Sequence, residues 1–291
     1  MLLDPLIIAF FGIALGFAFQ KFIGFDQKTA ADLLIYITAP ALIFSAIYSR
    51  EIILEHFFLL GLAALLVMLA SGIFAWIAFR LLKYGNSGML LPAMFMNSGY
   101  LGYPVALFAL GEIGLQNAII FDAFETALIF SIGVFLVQKT GVRKREKLAA
   151  IFRLPLIYAI VLGAALNLAH VWLPELFVSS LSFIGSATIP LALLALGGRL
   201  AQLKIGSLKI PFVSVFARLA VGGIAGFAFI KLLNVEGTVA SVILLLSVMP
   251  PAVNSYVLNE KFRKDADNAA TAVVLGTVLS VIPIALVLAM I

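Results

Sequence analysis

Long runs of apolar residues follow one another along the whole chain, and polar residues fall between them in short clusters. A helix needs roughly 20 mostly apolar residues to cross a bilayer. Ten runs approach or reach that length, at roughly 5–22, 30–48, 56–80, 88–110, 115–138, 154–172, 177–198, 211–233, 238–258 and 266–290. Strand-like alternation is absent, and the runs are too long for the strands of a spanning barrel. In lipid every backbone N–H and C=O has to be bonded internally, so such runs must be helices. The pattern predicts an all-α polytopic membrane protein with ten transmembrane helices.

Composition adds exclusions. Of the 291 residues, 64% are apolar and 11% charged, with a mean hydropathy of +1.18. A soluble domain is about 45–50% apolar and about 25% charged, so both a soluble globule and a separate soluble domain are excluded. There is no Cys, which removes disulfides, thiol catalysis and Cys-based metal or iron–sulfur sites. The two histidines, His56 and His170, lie far apart, so no metal site and no cofactor is expected. The start, Met1-Leu-Leu-Asp-Pro5, lacks a basic leader and a small-residue cleavage site, so the first span is expected to remain in the mature protein.

Basic residues exceed acidic ones, 19 to 14, but they sit between the apolar runs, which argues against nucleic acid as a partner. Their placement fixes an orientation instead. The loops after spans 1, 3, 5, 7 and 9 carry sixteen Lys and Arg; the opposite side carries only Arg50 and Lys231. By the positive-inside rule the first set is cytoplasmic. Both termini then face away from the cytoplasm, in a multi-pass protein of the cell inner (plasma) membrane.

The densest basic loop, Lys139–Arg153, divides the chain into a first five-helix repeat (1–138), a cytoplasmic linker (139–153) and a second repeat (154–291). Five is odd, so homologous halves would insert with opposite orientation. Pro40 and Pro190 lie 150 residues apart. At an offset of 151, Gln116-Asn117-Ala118 meets Asp267-Asn268-Ala269, and Thr126 meets Thr277.

The fourth span of each half is interrupted. Span 4 contains Asn97-Ser98-Gly99-Tyr100-Leu101-Gly102-Tyr103-Pro104, and span 9 contains Met249-Pro250-Pro251-Ala252-Val253-Asn254-Ser255. Glycine weakens a helix, and proline removes a donor and disfavours helix in the residue before it. The expected arrangement in span 4 is a first half-helix ending near Asn97, an extended crossing, and a second half-helix starting at Pro104. Each second half then starts near the midplane, where a helix start carries roughly half a positive charge and free N–H donors. The neutral amides of Asn97 and Asn254 can donate to a carboxylate at little desolvation cost. An ordinary proline kink is the plainer alternative for either span alone.

Intramembrane charge is sparse. Asp122 and Glu125 lie three residues apart in span 5, on one helix face. Such carboxylates mark ion or proton pathways by default, or are structural and bonded to neighbouring Ser, Thr or Asn. At the repeat offset their counterparts are Val273 and Gly276, both uncharged. Arg218 in span 8 either snorkels to the interface or serves as charge partner for a span-5 carboxylate or for the substrate. Gly222 and Gly226 read as a helix-packing face. Tyr100 and Tyr103 line a cavity or pack as interior aromatics.

Four motifs in order, Pro40-Ala-Leu-Ile-Phe44, Asn97 to Pro104, Pro190-Leu-Ala-Leu-Leu-Ala-Leu-Gly197 and Met249 to Leu258, resemble the auxin efflux carrier family over nearly the whole chain. The resemblance implies ten helices in two inverted repeats, as in bile acid/sodium symporters. It also implies a scaffold of spans 1, 2, 6 and 7, a homodimer interface on that scaffold, an elevator-type motion, and crossed broken helices 4 and 9. Asn97 matches the crossover asparagine that contacts the substrate carboxylate in plant members. The long central loop of plant members is missing, and the compact form is similar to prokaryotic members linked to malate or malonate uptake. Span 9 has no acidic residue before Glu260, where the bile acid relatives bind sodium through Glu and Gln.

These readings converge on a secondary transporter of small organic anions in the lipid bilayer, working by alternating access. The substrate site would comprise Asn97, Ser98, Gly99, Tyr100, Pro104, Pro250, Pro251, Asn254 and Ser255. Asp122 and Glu125 would couple transport to H+ or Na+. The alternative is an uncoupled facilitator or channel. An intramembrane enzyme is set aside, since no Ser–His dyad, metal cluster or well-placed aspartyl pair is available.

Overall fold

The computed structural model describes residues 3–49, 53–137, 155–203 and 206–291. The expected linker 139–153 lies outside the described residues, as do Arg50 and Lys204. No strand occurs among the described residues, only one isolated antiparallel bridge between Met96 and Pro251.

Seven helices among the described residues are long and apolar enough to cross a membrane. They are α1 (Asp4–Phe22), α2 (Gln27–Tyr48), α3 (Leu54–Leu81), the 40-residue run Ser98–Val137, Glu175–Gln202, Lys209–Leu232 and Ala266–Leu288. Gly111, at φ 67 and ψ −163, cuts the 40-residue run in two, giving α5 (98–110) and α6 (112–137). Shorter pieces complete the set in chain order: α4 (Leu90–Met94) before α5, and α7 (Pro155–Leu168) before α8 (Glu175–Gln202). After α9 (Lys209–Leu232) come α10 (Gly237–Ser247), α11 (Val253–Lys261) and α12 (Ala266–Leu288). Spans expected at 88–110 and 238–258 fall below single-helix length because each is broken, into α4 and α5 and into α10 and α11.

The breaks do not fall where the sequence places them. The first half of span 4 ends at Met94, three residues before Asn97, and the second half starts at Ser98, not at Pro104. A wide π-type turn over Ser98–Gly102 opens α5, with the Gly102 N–H on the Asn97 carbonyl at 3.0 Å. The wide turn lets Pro104, which has no N–H to contribute, sit within the helix. The same device precedes Pro40, where a π-type turn covers Leu34–Thr38.

Packing separates the helices into two groups. In the first, α1 lies along the second half of α8, and the second half of α2 packs on α7 and on the first half of α8. In the second, α3 packs on α4, α6 and α9; α10 packs on α6 and α9; and α12 packs on α9 and α11. The α1–α8 contact is made backbone to backbone. A Cβ at Gly16 would strike the Leu194 carbonyl, and one at Gly197 would strike the Ile13 carbonyl and Phe17 N–H. Small residues let membrane helices approach this closely. Gly197→Val therefore forces the helices apart with no side chain able to yield. The expected loss is about 1–3 kcal/mol of stability, read as a lowered unfolding midpoint in detergent; an unchanged midpoint would contradict the packing.

Candidate functional site

The two breaks meet. The Asn97 N–H donates to the Pro250 carbonyl at 2.8 Å, and the Ala252 N–H donates to the Phe95 carbonyl at 2.9 Å. Phe95–Asn97 and Pro250–Ala252 thus pair as two short antiparallel segments that satisfy each other's backbone at membrane depth. Each break is extended for a local reason. Prolines 250 and 251 cannot continue α10, and Ala252 takes the extended conformation before α11.

One cavity of about 100 Å³ opens at this crossing. A water needs about 10–15 Å³ on this measure, so the space holds several waters or one small organic ion. Asn97, Gly99 and Tyr100 line it from one break, Val253 and Asn254 from the other, and Asp122 and Glu125 from α6. The first turns of α5 and α11 thus border the same space. Neither helix start is capped by a side chain, so their first N–H groups keep the electropositive end of the helix available. Asn97 is 2% exposed, and its Nδ2 has no hydrogen-bond partner. The Asn254 side chain, in the first turn of α11, also makes no hydrogen bond within the described residues.

The carboxylates are tied to the same crossing, one on each side of Asn97. Glu125, 3% exposed, accepts from the Met96 N–H at 2.7 Å. Asp122 accepts from the Ser98 hydroxyl and, at 2.6 Å, from the Tyr103 hydroxyl.

Several expected site residues sit elsewhere. Ser98 is buried behind the cavity, reaching it only through Asp122. The Ser255 hydroxyl turns back to the Ala252 carbonyl at 2.6 Å. Pro104, Pro250 and Pro251 shape the backbone and do not line the cavity. Arg218 does not snorkel, and it forms no ion pair among the described residues. It is fully buried, donating from Nη1 to the Met94 carbonyl at 2.9 Å and from Nη2 to the Ser247 carbonyl at 2.8 Å. Met94 and Ser247 are the last residues of α4 and α10, so one cation holds the electronegative ends of both first half-helices. Gly222 leaves room for it, since a Cβ there would collide with the guanidinium. An Arg one turn before the Gly222–Gly226 pair was the available signal.

Sequence reasoning missed the opposite wall. Leu34, Ile35, Ala39 and Ile43 of α2 and Thr188 and Ala192 of α8 close the cavity, and Thr126 of α6 joins the polar side. The Thr188 hydroxyl is buried without a partner among the described residues; Thr188 lies two residues before the Pro190 motif.

The family described as "Membrane transport protein" matches residues 1–288. An uncharacterized transporter of Methanocaldococcus jannaschii is 30% identical, over 98% of this chain and 97% of its own. An uncharacterized transporter of Methanothermobacter thermautotrophicus is 28% identical, over 90% and 88%. A protein of Rhizobium meliloti named "Putative malonate transporter" is 23% identical, over 95% and 92%. These are transporters and not enzymes. With two broken helices crossed over one cavity and a family match along nearly its full length, the chain belongs to the membrane transport protein family, the auxin efflux carrier family that its motifs resemble.

Proposed function

We propose that the protein is a secondary transporter of small organic anions, dicarboxylates of the malonate class first, by elevator-type alternating access. The observation that carries this reading is the buried Asn97 amide, which has a donor and no partner in a cavity bordered by two helix starts. An unpaired buried donor costs about 1–3 kcal/mol, and a carboxylate is the acceptor that helix starts favour. Among the described residues no Lys or Arg lines this cavity, so a bound anion is held by neutral donors and can leave again. The name of the Rhizobium relative agrees with a small dicarboxylate.

The elevator reading draws on the asymmetry of the walls. Asn97, Asp122, Glu125 and Asn254 lie on the α3–α6 and α9–α12 group, whereas the α1, α2, α7 and α8 side is apolar apart from Thr188. A substrate bound to one group can travel with it past a face that offers few bonds. Ten spans in two inverted five-helix repeats (1–138 and 154–291), with both ends of the chain outside the plasma membrane's cytoplasmic face, complete the reading. The charge asymmetry and the paired breaks support it. A homodimer would form on the α1, α2, α7 and α8 group.

Asn97→Ala is the test. Because its Nδ2 bonds nothing among the described residues, removal takes no bond from the fold and relieves the cost of an unpaired donor, so the unfolding midpoint in detergent should not fall below that of the parent. A hydrogen bond to a charged group is worth about 1.5–3 kcal/mol, so malonate affinity should fall about 10- to 100-fold in proteoliposome uptake. Undiminished affinity would refute the site.

A further inference from the structure

Behind the crossing lies a second cavity of about 240 Å³. It shares Ile35, Tyr100, Val253 and Asn254 with the first, so Tyr100 and the start of α11 form the partition between them. Unlike the first, it is cationic. Lys28 stands at the start of α2, and Arg199 in the last turn of α8. Both belong to the loops that the charge pattern assigns to the cytoplasm.

Arg199 is held in place without its donors being used up. Its guanidinium lies over the Tyr256 ring at 4.7 Å, a contact that fixes its plane. Its link to Glu260 is a single long one, Nη2 to Oε2 at 3.5 Å. Glu260 has a better partner in the Tyr256 hydroxyl, at 2.7 Å from Oε1. Arg199 Nε is buried with no acceptor among the described residues. An exposed pair of this kind contributes about 0–1 kcal/mol, whereas an incoming carboxylate can take two parallel N–H bonds from the guanidinium fork.

We propose that this second cavity is a recruitment site for small dicarboxylates on the cytoplasmic face, with Arg199 as the anion ligand and Lys28 as a supporting charge. The inference rests on the organic-anion reading of the crossing. It divides the work between two charges of different kind. A cationic antechamber raises the local anion concentration. The neutral amides beyond Tyr100 and Asn254 then bind the anion without trapping it.

The test is sided malonate transport, in inside-out and right-side-out membrane vesicles holding the parent, Arg199→Gln, Arg199→Lys or Glu260→Gln. Arg199→Gln should raise KM about tenfold for malonate presented to the cytoplasmic face, with the maximal rate retained. KM on the outer face should not move. Arg199→Lys should recover part of the loss, since it keeps the charge without the fork. Glu260→Gln should lower the cytoplasmic KM by up to about fivefold, the worth of the competing pair. An unchanged cytoplasmic KM in Arg199→Gln, or an equal rise on both faces, overturns the recruitment site while leaving the crossing intact. A parent that moves no malonate from either face overturns the reading of the crossing itself.

Discussion

Arg218→Met should unfold at a markedly lower denaturant or temperature midpoint than the parent protein, with a loss of about 2–5 kcal/mol. A methionine fills much of the volume but offers no donor. The Met94 and Ser247 carbonyls, which now accept from the guanidinium, would end their helices at membrane depth with nothing to bond. Each such group costs about 1–3 kcal/mol, and lipid offers no water to satisfy it. Among the described residues no carboxylate lies within ion-pair distance of the guanidinium, so the loss would be charged to helix ends and not to a broken salt bridge. Arg218→Lys separates the two. Its single ammonium cannot span both carbonyls with the planar fork of Arg, so it should recover only part of the stability. Because the same cation holds the ends of α4 and α10 beside the crossing, malonate binding should weaken along with the fold. A parent-like midpoint in Arg218→Met would show that the two half-helices are held by packing alone.

Arg218 also marks the limit of what the sequence reveals. The helix breaks were legible, since Gly99, Gly102, Pro104, Pro250 and Pro251 interrupt long apolar runs and proline chemistry leaves few alternatives. Their ends were not. A π-type turn absorbs Pro104 into α5, a local adjustment that composition does not encode, so the break moved from the Asn97–Pro104 interval to Phe95–Asn97. The partners of Arg218 lie 124 and 29 residues away, on carbonyls that become acceptors only because both spans are broken. In a linear reading an Arg near a span end looks like a snorkelling side chain. The apolar wall from α2 and α8 was illegible for a different reason. Leu34, Ile35, Ile43 and Ala192 face a cavity, yet in sequence nothing distinguishes them from residues facing lipid. Asp122 and Glu125 stood out because charge is costly in that setting. Which atoms they bond, Met96 N–H, Ser98 and Tyr103, depends on the crossing.

Those bonds give the second large effect: Glu125→Gln should abolish gradient-driven accumulation of malonate while leaving exchange of malonate for malonate intact. Asp122 and Glu125 share the cavity wall with the Asn97 amide, so an anion bound there meets two carboxylates. Like charges at that range repel strongly away from water, and relief comes from taking up a proton or a cation together with the substrate. That is coupling in its simplest physical form. For one proton per malonate, with the membrane potential clamped at zero, each pH unit supplies 1.36 kcal/mol, a tenfold accumulation on the alkaline side. Glutamine keeps the shape, and its carbonyl can still accept from the Met96 N–H. It holds no titrating charge, however, so the variant behaves as a permanently neutral carrier. Accumulation per pH unit should fall from about tenfold to about one, with an equally lost response if sodium is the coupling ion. Asp122→Asn is the harsher change. An amide oxygen cannot replace both carboxylate oxygens for Ser98 and Tyr103, so it should lower the transport rate as well as the coupling. Proteoliposomes with imposed pH and sodium gradients, each applied alone, distinguish these outcomes. If the parent protein ignores both gradients, the carboxylates serve only to brace the crossing, and the protein is a facilitator that lets its anion run downhill.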